Sequence, residues 1–147
     1  MGYFSSLDIG ASALTAQRLR MDIISQNIAN ASTTKTANGT PYRRQDLVFE
    51  ESSSGAPFSS YLTESSKEKF TGSGVKVARI VEDQTPFKRE YDPGNPEAGS
   101  DGYVLMPNVD TVTEMVNMID ATRAYEANVT SINTTKSLAL KALELGK

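Results

Sequence analysis

Residues 111–145 read TVTEMVNMIDATRAYEANVTSINTTKSLALKALEL, a run with neither glycine nor proline. Nothing in it breaks a helix, and Thr111-Val112-Thr113-Glu114 has the form of a capping box, with Asp110 just before it and Pro107 outside. Met115, Met118, Thr122, Tyr125, Val129, Ile132, Lys136, Ala139 and Leu143 recur at alternating steps of three and four, the spacing of a heptad seam. Lys136 interrupts it once. Leu138, Leu140 and Leu145 add apolar surface off that line. At 1.5 Å per residue the helix would be roughly 50 Å long, too long to fold inside a compact domain of this size.

The N-terminal region mirrors it. From Ser5 to about Ala31 there is no proline, the only glycine is Gly10, and Ser5 with Asp8 three positions later is a helix-start signal. Leu7, Gly10, Leu14, Gln17, Met21, Ile24, Ile28 and Ala31 form one stripe, while Ile9, Ala16, Leu19 and Ile23 fall on roughly the opposite side. A helix resting on one core needs a single apolar stripe. Two stripes predict a helix that is sandwiched. Within ISQNIANA, residues 24–31, the helical angles put Asn27 and Asn30 on the second face, where they read as polar register marks meeting another helix or subunit.

Between the helices the pattern changes to strands and turns. Leu47–Phe49, Val75–Val81, Phe87–Tyr91 and Tyr103–Met106 carry the strand signals, with turns at Asp92-Pro93-Gly94 and Asp101-Gly102. Residues 50–74 are rich in serine with interspersed charge and read as a flexible segment. The fold class is therefore α+β. Residues 1–31 and 107–147 pair as a coiled-coil-like helical hairpin, and residues 32–106 form a small β-hairpin-rich outer region.

Composition narrows the chemistry. The 147 residues include no cysteine and no histidine, which removes thiol catalysis, thiolate metal sites and the commonest general base. Gly72-Ser73-Gly74 lacks the third glycine and following helix of a phosphate loop. Glu50-Glu51 and Glu82-Asp83 are neighbours on strands and point to opposite faces, so neither makes a metal pair. Arg43-Arg44, with Arg18, Arg20 and Lys35, reads as surface charge, and a net charge of -3 gives no electrostatic ground for nucleic acid. Four Asn-x-Ser/Thr triplets mean little without a secretory signal, and the first residues show none. No catalytic, metal or cofactor residue is nominated. The excess of apolar faces, and the many uncharged polar residues on the C-terminal helix (Asn117, Asn128, Ser131, Asn133, Thr134, Thr135), point to assembly. The interface assigned on that basis is Leu7, Leu14, Leu19, Met21, Ile23, Ile24, Asn27, Ile28, Asn30, Met115, Met118, Tyr125, Val129, Ile132 and Leu143.

Residues 11–22 (ASALTAQRLRMD), running into 24–31, resemble the N-terminal signature of the bacterial flagellar axial proteins, the rod, hook and hook-associated subunits. Residues 114–119 (EMVNMI) and 123–128 (RAYEAN) resemble the family's matching C-terminal end. Residues 41–45 (PYRRQ), Glu82-Asp83 through Pro86-Phe87, 91–96 (YDPGNP), and 102–104 (GYV) to 107–109 (PNV) narrow the likeness to the proximal-rod type, over about residues 1–49 and 75–147. The resemblance implies a structural subunit without catalytic activity or cofactor. It implies passage through the flagellar type III export apparatus and assembly outside the inner membrane, in the periplasm or cell envelope. There the terminal helices would pack into a helical tubular drive shaft transmitting torque from rotor to hook. Implied partners are proximal- and distal-rod proteins and the rotor-base adaptor, with neither nucleic acid nor direct membrane insertion. Helices that wait for neighbours are expected to be poorly ordered in the free monomer. The competing reading is a soluble coiled-coil adaptor or export chaperone that forms a closed oligomer.

Overall fold

The structure is a computed structural model that describes residues 3–52 and 74–145. In chain order it comprises α1 (Tyr3–Ala29), β1 (Gln45–Glu51), β2 (Val75–Glu82), β3 (Lys88–Tyr91), β4 (Tyr103–Met106) and α2 (Thr111–Leu145). The α+β architecture read from the sequence is the one found. The strands make two separate antiparallel pairs, β1 with β2 and β3 with β4. The predicted flexible segment falls largely on residues 53–73, outside the described residues.

The helices lie antiparallel. Gly10 sits beside Ile132, the Met21 sulfur lies 3.7 Å from the Thr122 hydroxyl, and Asn27 meets Glu114. Position rises along α1 as it falls along α2. The seam of α2 differs from the predicted one by a single residue at every second position. Glu114, Met118, Ala121, Tyr125, Asn128, Ile132, Thr135 and Ala139 face inward, all buried or half-buried. Met118, Tyr125, Ile132 and Ala139 are common to both seams. Met115 is 56% exposed and Leu143 71% exposed, both off this seam. The physical reason is space: the helices approach closely around Gly10 and Ala121, so small and polar residues occupy alternate seam positions and larger apolar ones turn outward. Lys136 no longer interrupts anything.

The two-sided character of α1 is satisfied within the chain. One side meets α2, and β1 and β2 lie along another. The Ser12 hydroxyl donates to the Ile9 carbonyl (2.7 Å) and accepts the Val75 amide at the start of β2 (3.1 Å). Asn27 holds the start of β1. From Ser12 to Asn27 is about 22 Å of helix and the seven residues of β1 span about 23 Å, so the strand reaches from one fastening to the other. A water-facing strip remains on α1, formed by Asp8, Ala11, Thr15, Arg18, Asp22, Ser25, Gln26 and Ala29.

The hairpins carry their own local devices. The β1–β2 register shifts between Val48 and Phe49, opposite which Ala78 is the extra residue of a bulge in β2. Gly102 adopts φ 73° in the β3–β4 turn, where a Cβ would stand 2.9 Å from the Tyr91 ring. Among the described residues no helix is long and apolar enough to cross a membrane.

Gly10 supplies a direct test of the helix register. A Cβ there would lie 2.7 Å from Ile132 Cγ1. On an exposed helix, Gly→Ala would add about 1 kcal/mol of helix propensity. Here Gly10→Ala is expected to lower stability, by about 1–3 kcal/mol from overpacking. Combination with Ile132→Ala should remove the part of the loss that comes from the clash, measured by urea unfolding of the single and double variants.

Candidate functional site: a buried polar hub and an open helix face

A carboxylate and an amide with no solvent exposure need every polar atom paired. Asn27 and Glu114 are both 0% exposed, and they pair with each other, Asn27 Nδ2 donating to Glu114 Oε2 at 2.9 Å. The remaining capacity of Asn27 is taken up by the chain that leads into β1. Its Nδ2 donates to the Gln45 carbonyl (2.8 Å), and its Oδ1 accepts the Gln45 amide (3.0 Å) and the Tyr42 hydroxyl (2.9 Å). Glu114 Oε1 accepts from Arg44 Nε (2.9 Å) and Asn117 Nδ2 (3.1 Å). All four hydrogen bonds an asparagine side chain can make are formed. Asn27 does meet another helix, and it is α2 of the same chain.

Asn30 behaves differently. Its Nδ2 donates to the Gln26 carbonyl (2.9 Å) and its Oδ1 accepts the Thr33 hydroxyl (3.1 Å), so its side chain closes the last turn of α1. Glu114 also departs from its predicted role. Asp110 caps α2, accepting the Thr113 amide through Oδ1 (3.0 Å) and the Glu114 amide through its carbonyl (2.9 Å). Freed from capping, the Glu114 side chain turns inward.

Arg43 and Arg44 are structural, which the reading as surface charge missed. Arg44 pairs with Glu114 and lies near Asp46 (3.3 Å) and Asp83 (3.7 Å). Burial alone would disfavour its charge, yet the Glu114 hydrogen bond and charge, with Asp46, outweigh that and raise its pKa. Arg43 stacks over the Phe87 ring, 4.4 Å from its centroid, and donates to the Asp83 carbonyl (3.1 Å). No local pattern links Glu114 to partners up to 87 positions away, so only the fold reveals the cluster.

The other assigned residues divide by position. Ile23 and Ile24 are buried, and Leu7, Leu14, Leu19, Met21, Ile28, Met118, Tyr125, Val129 and Ile132 are half-buried. On the outside of α2, Val112, Met115, Val116 and Ile119 are all more than half exposed and follow helical spacing. Leu138, Leu140 and Leu143 are exposed near its far end. Four apolar residues in two turns, each more than half exposed, form an open face among the described residues, and the apolar surplus that the sequence placed on α1 lies on α2.

Two family models match the chain. One, flagella basal body rod protein, covers residues 7–35, and the other, flagellar basal body rod FlgEFG protein C-terminal, covers residues 100–145. Whole-chain relatives are more specific. The flagellar basal-body rod protein FlgC of Bacillus subtilis is 50% identical over 152 residues, covering 100% of both chains. That of Borreliella burgdorferi is 46% identical over 99% of this chain and 98% of its own. That of Escherichia coli O6:H1 is 46% identical with 100% of both chains covered. The chain belongs to the FlgC family of flagellar basal-body rod proteins.

The hub yields two measurable consequences. Asn27→Ala leaves four groups unpartnered and is expected to cost about 3 kcal/mol or more. Asn27→Asp should be worse at neutral pH, because it sets a second carboxylate against Glu114, and should improve on acidification as the new acid protonates. The parent protein should show a stability plateau bounded at both ends. The Thr85 backbone amide, with Arg44 and Arg43, lowers the Asp83 pKa, and the Thr113 amide, with Lys88, lowers that of Asp110. Their contribution is complete above the ordinary carboxylate value near 3.9 and is lost as pH falls through the lower folded values. Burial first, and then Glu114 and Glu82, raise the Tyr42 pKa. Its contribution is complete below about pH 10 and is lost above. Unfolding midpoints measured from pH 2 to 11 check both edges.

Proposed function

We propose that this chain is a proximal-rod subunit whose two helices line the inner part of a tubular helical shaft, with the β hairpins outside. The observation that supports this reading most is the open face Val112–Ile119 of α2. It is an apolar surface on a rigid helix, at the end fastened by the buried hub. Apolar side chains at this density on one helix face mark a contact with another protein. A face of α2 that meets a different surface on its neighbour makes a heterologous contact, and such contacts that do not close on themselves produce filaments. A shaft built this way transmits torque through packed helices. Its neighbours are other rod proteins and the adaptor at the rotor base. The chain reaches its site, beyond the inner membrane, through the flagellar export apparatus.

Val116→Asp and Ile119→Asp test this reading. Each side chain is about half exposed, so monomer stability should change by no more than about 0.5 kcal/mol. Rod assembly and swimming in a complemented deletion strain should nonetheless be abolished. Leu14→Asp and Val129→Asp place a charge at half-buried positions of the paired helices, and they should block assembly by disturbing the pair while the hairpins stay folded. Normal motility with Val116→Asp, or a closed dimer of the purified protein, would reject the open-ended assembly.

A further inference from the structure

Neither β3 nor β4 packs on a helix or on the first hairpin; among the described residues, the one strand or helix each approaches is the other. The second hairpin is nevertheless anchored. Its inner face places Val104 in the interior, near the loop that contains Lys35, Gly39 and Pro41. Its outer face carries Arg89, Tyr91, Tyr103 and Leu105, with Arg89 4.9 Å over the Tyr103 ring and the two tyrosines edge-on at 5.2 Å. Both ends of the hairpin pass one side chain, Asn108. Asn108 Oδ1 accepts the Arg44 amide (2.8 Å), and Nδ2 donates to the Asp83 carbonyl (3.1 Å) and the Thr85 hydroxyl (2.8 Å). Thr85 and Asp83 precede β3, Asn108 follows β4, and Arg44 belongs to the hub. A second tie runs from Lys88 Nζ to the Val109 carbonyl (2.9 Å).

We propose that Asn108 and Arg44 form a joint that fixes the direction of the β3–β4 arm relative to the helical pair, so that the aromatic outer face is presented at a set angle. The joint can be cut without cutting the helices. Asn108 bonds only backbone and Thr85, and α2 keeps its Asp110 cap and its Asn27–Glu114 bond when Asn108 is removed. Asn108 and Arg44 are positioning residues, and their effect is on orientation. The inference rests on contacts within one chain and holds whatever the helices assemble with.

Because the chain has no cysteine, a Ser100→Cys, Ser137→Cys pair can be spin-labelled at two exposed sites, one in the turn of the arm and one on α2. The parent should give a narrow distance distribution. Asn108→Ala should widen it by about twofold or more, while amide exchange in the α1–α2 seam stays at parental protection. Asn108→Asp, which keeps the acceptor for the Arg44 amide, should fall between the two. Arg44→Lys, which keeps a charge for Glu114 and Asp83, should widen it less than Arg44→Ala, since both variants retain the backbone amide that donates to Asn108. An unchanged width in Asn108→Ala and Arg44→Ala would overturn the joint. So would widening that always came with loss of seam protection, because the residues would then be ordinary core contacts.

Discussion

The bond from Asn27 to Glu114 is the constraint on which the other contacts of the fold depend. A carboxylate without solvent exposure is tolerable only when both its oxygens are hydrogen-bonded and its charge is paired, and the donors must come from fixed places. Asn27 is fixed by the last turns of α1, Asn117 by the first turns of α2, and Arg44 by the segment between Tyr42 and β1. Satisfying one buried acid therefore brings both helix ends and the first strand to one point. The helix register follows, and the Ser12–Val75 contact at the far end of β1 completes the attachment of the first hairpin.

That arrangement has a consequence for surface chemistry. Alternate seam positions on α2 are occupied by Glu114, Ala121, Asn128 and Thr135, which are polar or small, and the helices approach to where Gly10 has room for no side chain. The larger apolar residues next to those positions, Met115 and Val116 above all, turn outward. A seam that spends its positions on specificity leaves hydrophobic surface on the opposite side. In a FlgC-family protein, whose relatives are named for the rod of the basal body, that surface is the one proposed above to meet a neighbouring subunit. The same polar cluster that positions the helices includes Arg44, whose backbone amide donates to Asn108 at the foot of the second hairpin and so links the helical pair to it.

Much of this was legible in the sequence, for physical reasons that also explain the failures. Long stretches without Gly or Pro, periodic apolar residues and turn residues flanking alternating segments are local signals, and both helices and all four strands followed from them. The stripes of α1 were read correctly as two faces, but that another part of the same chain covers the second face is a tertiary fact. The seam of α2 was misplaced by one residue at alternate positions because hydrophobicity favours Met115 over Glu114 and Val129 over Asn128. Close helix approach favours the smaller or polar neighbour, and the partners that set it, Asn27 beside Glu114 and Gly10 beside Ile132, lie on α1, far away in sequence. Arg43 and Arg44 looked like surface charge because their partners (Glu114, Asp83, Phe87) are 40 to 70 residues distant.

The placement of assembly on the outer face of α2 is tested most directly by thiol labelling of a single cysteine at position 116. The parent chain has none of its own. Val116→Cys should react rapidly in the free subunit, where the side chain is 53% exposed, and become protected in purified rods. A cysteine at Asp22, on the water-facing strip of α1, serves as the comparison within the same preparation. Equal reactivity of position 116 in free subunit and rod would show that this face meets no neighbour and would contradict the proposed architecture.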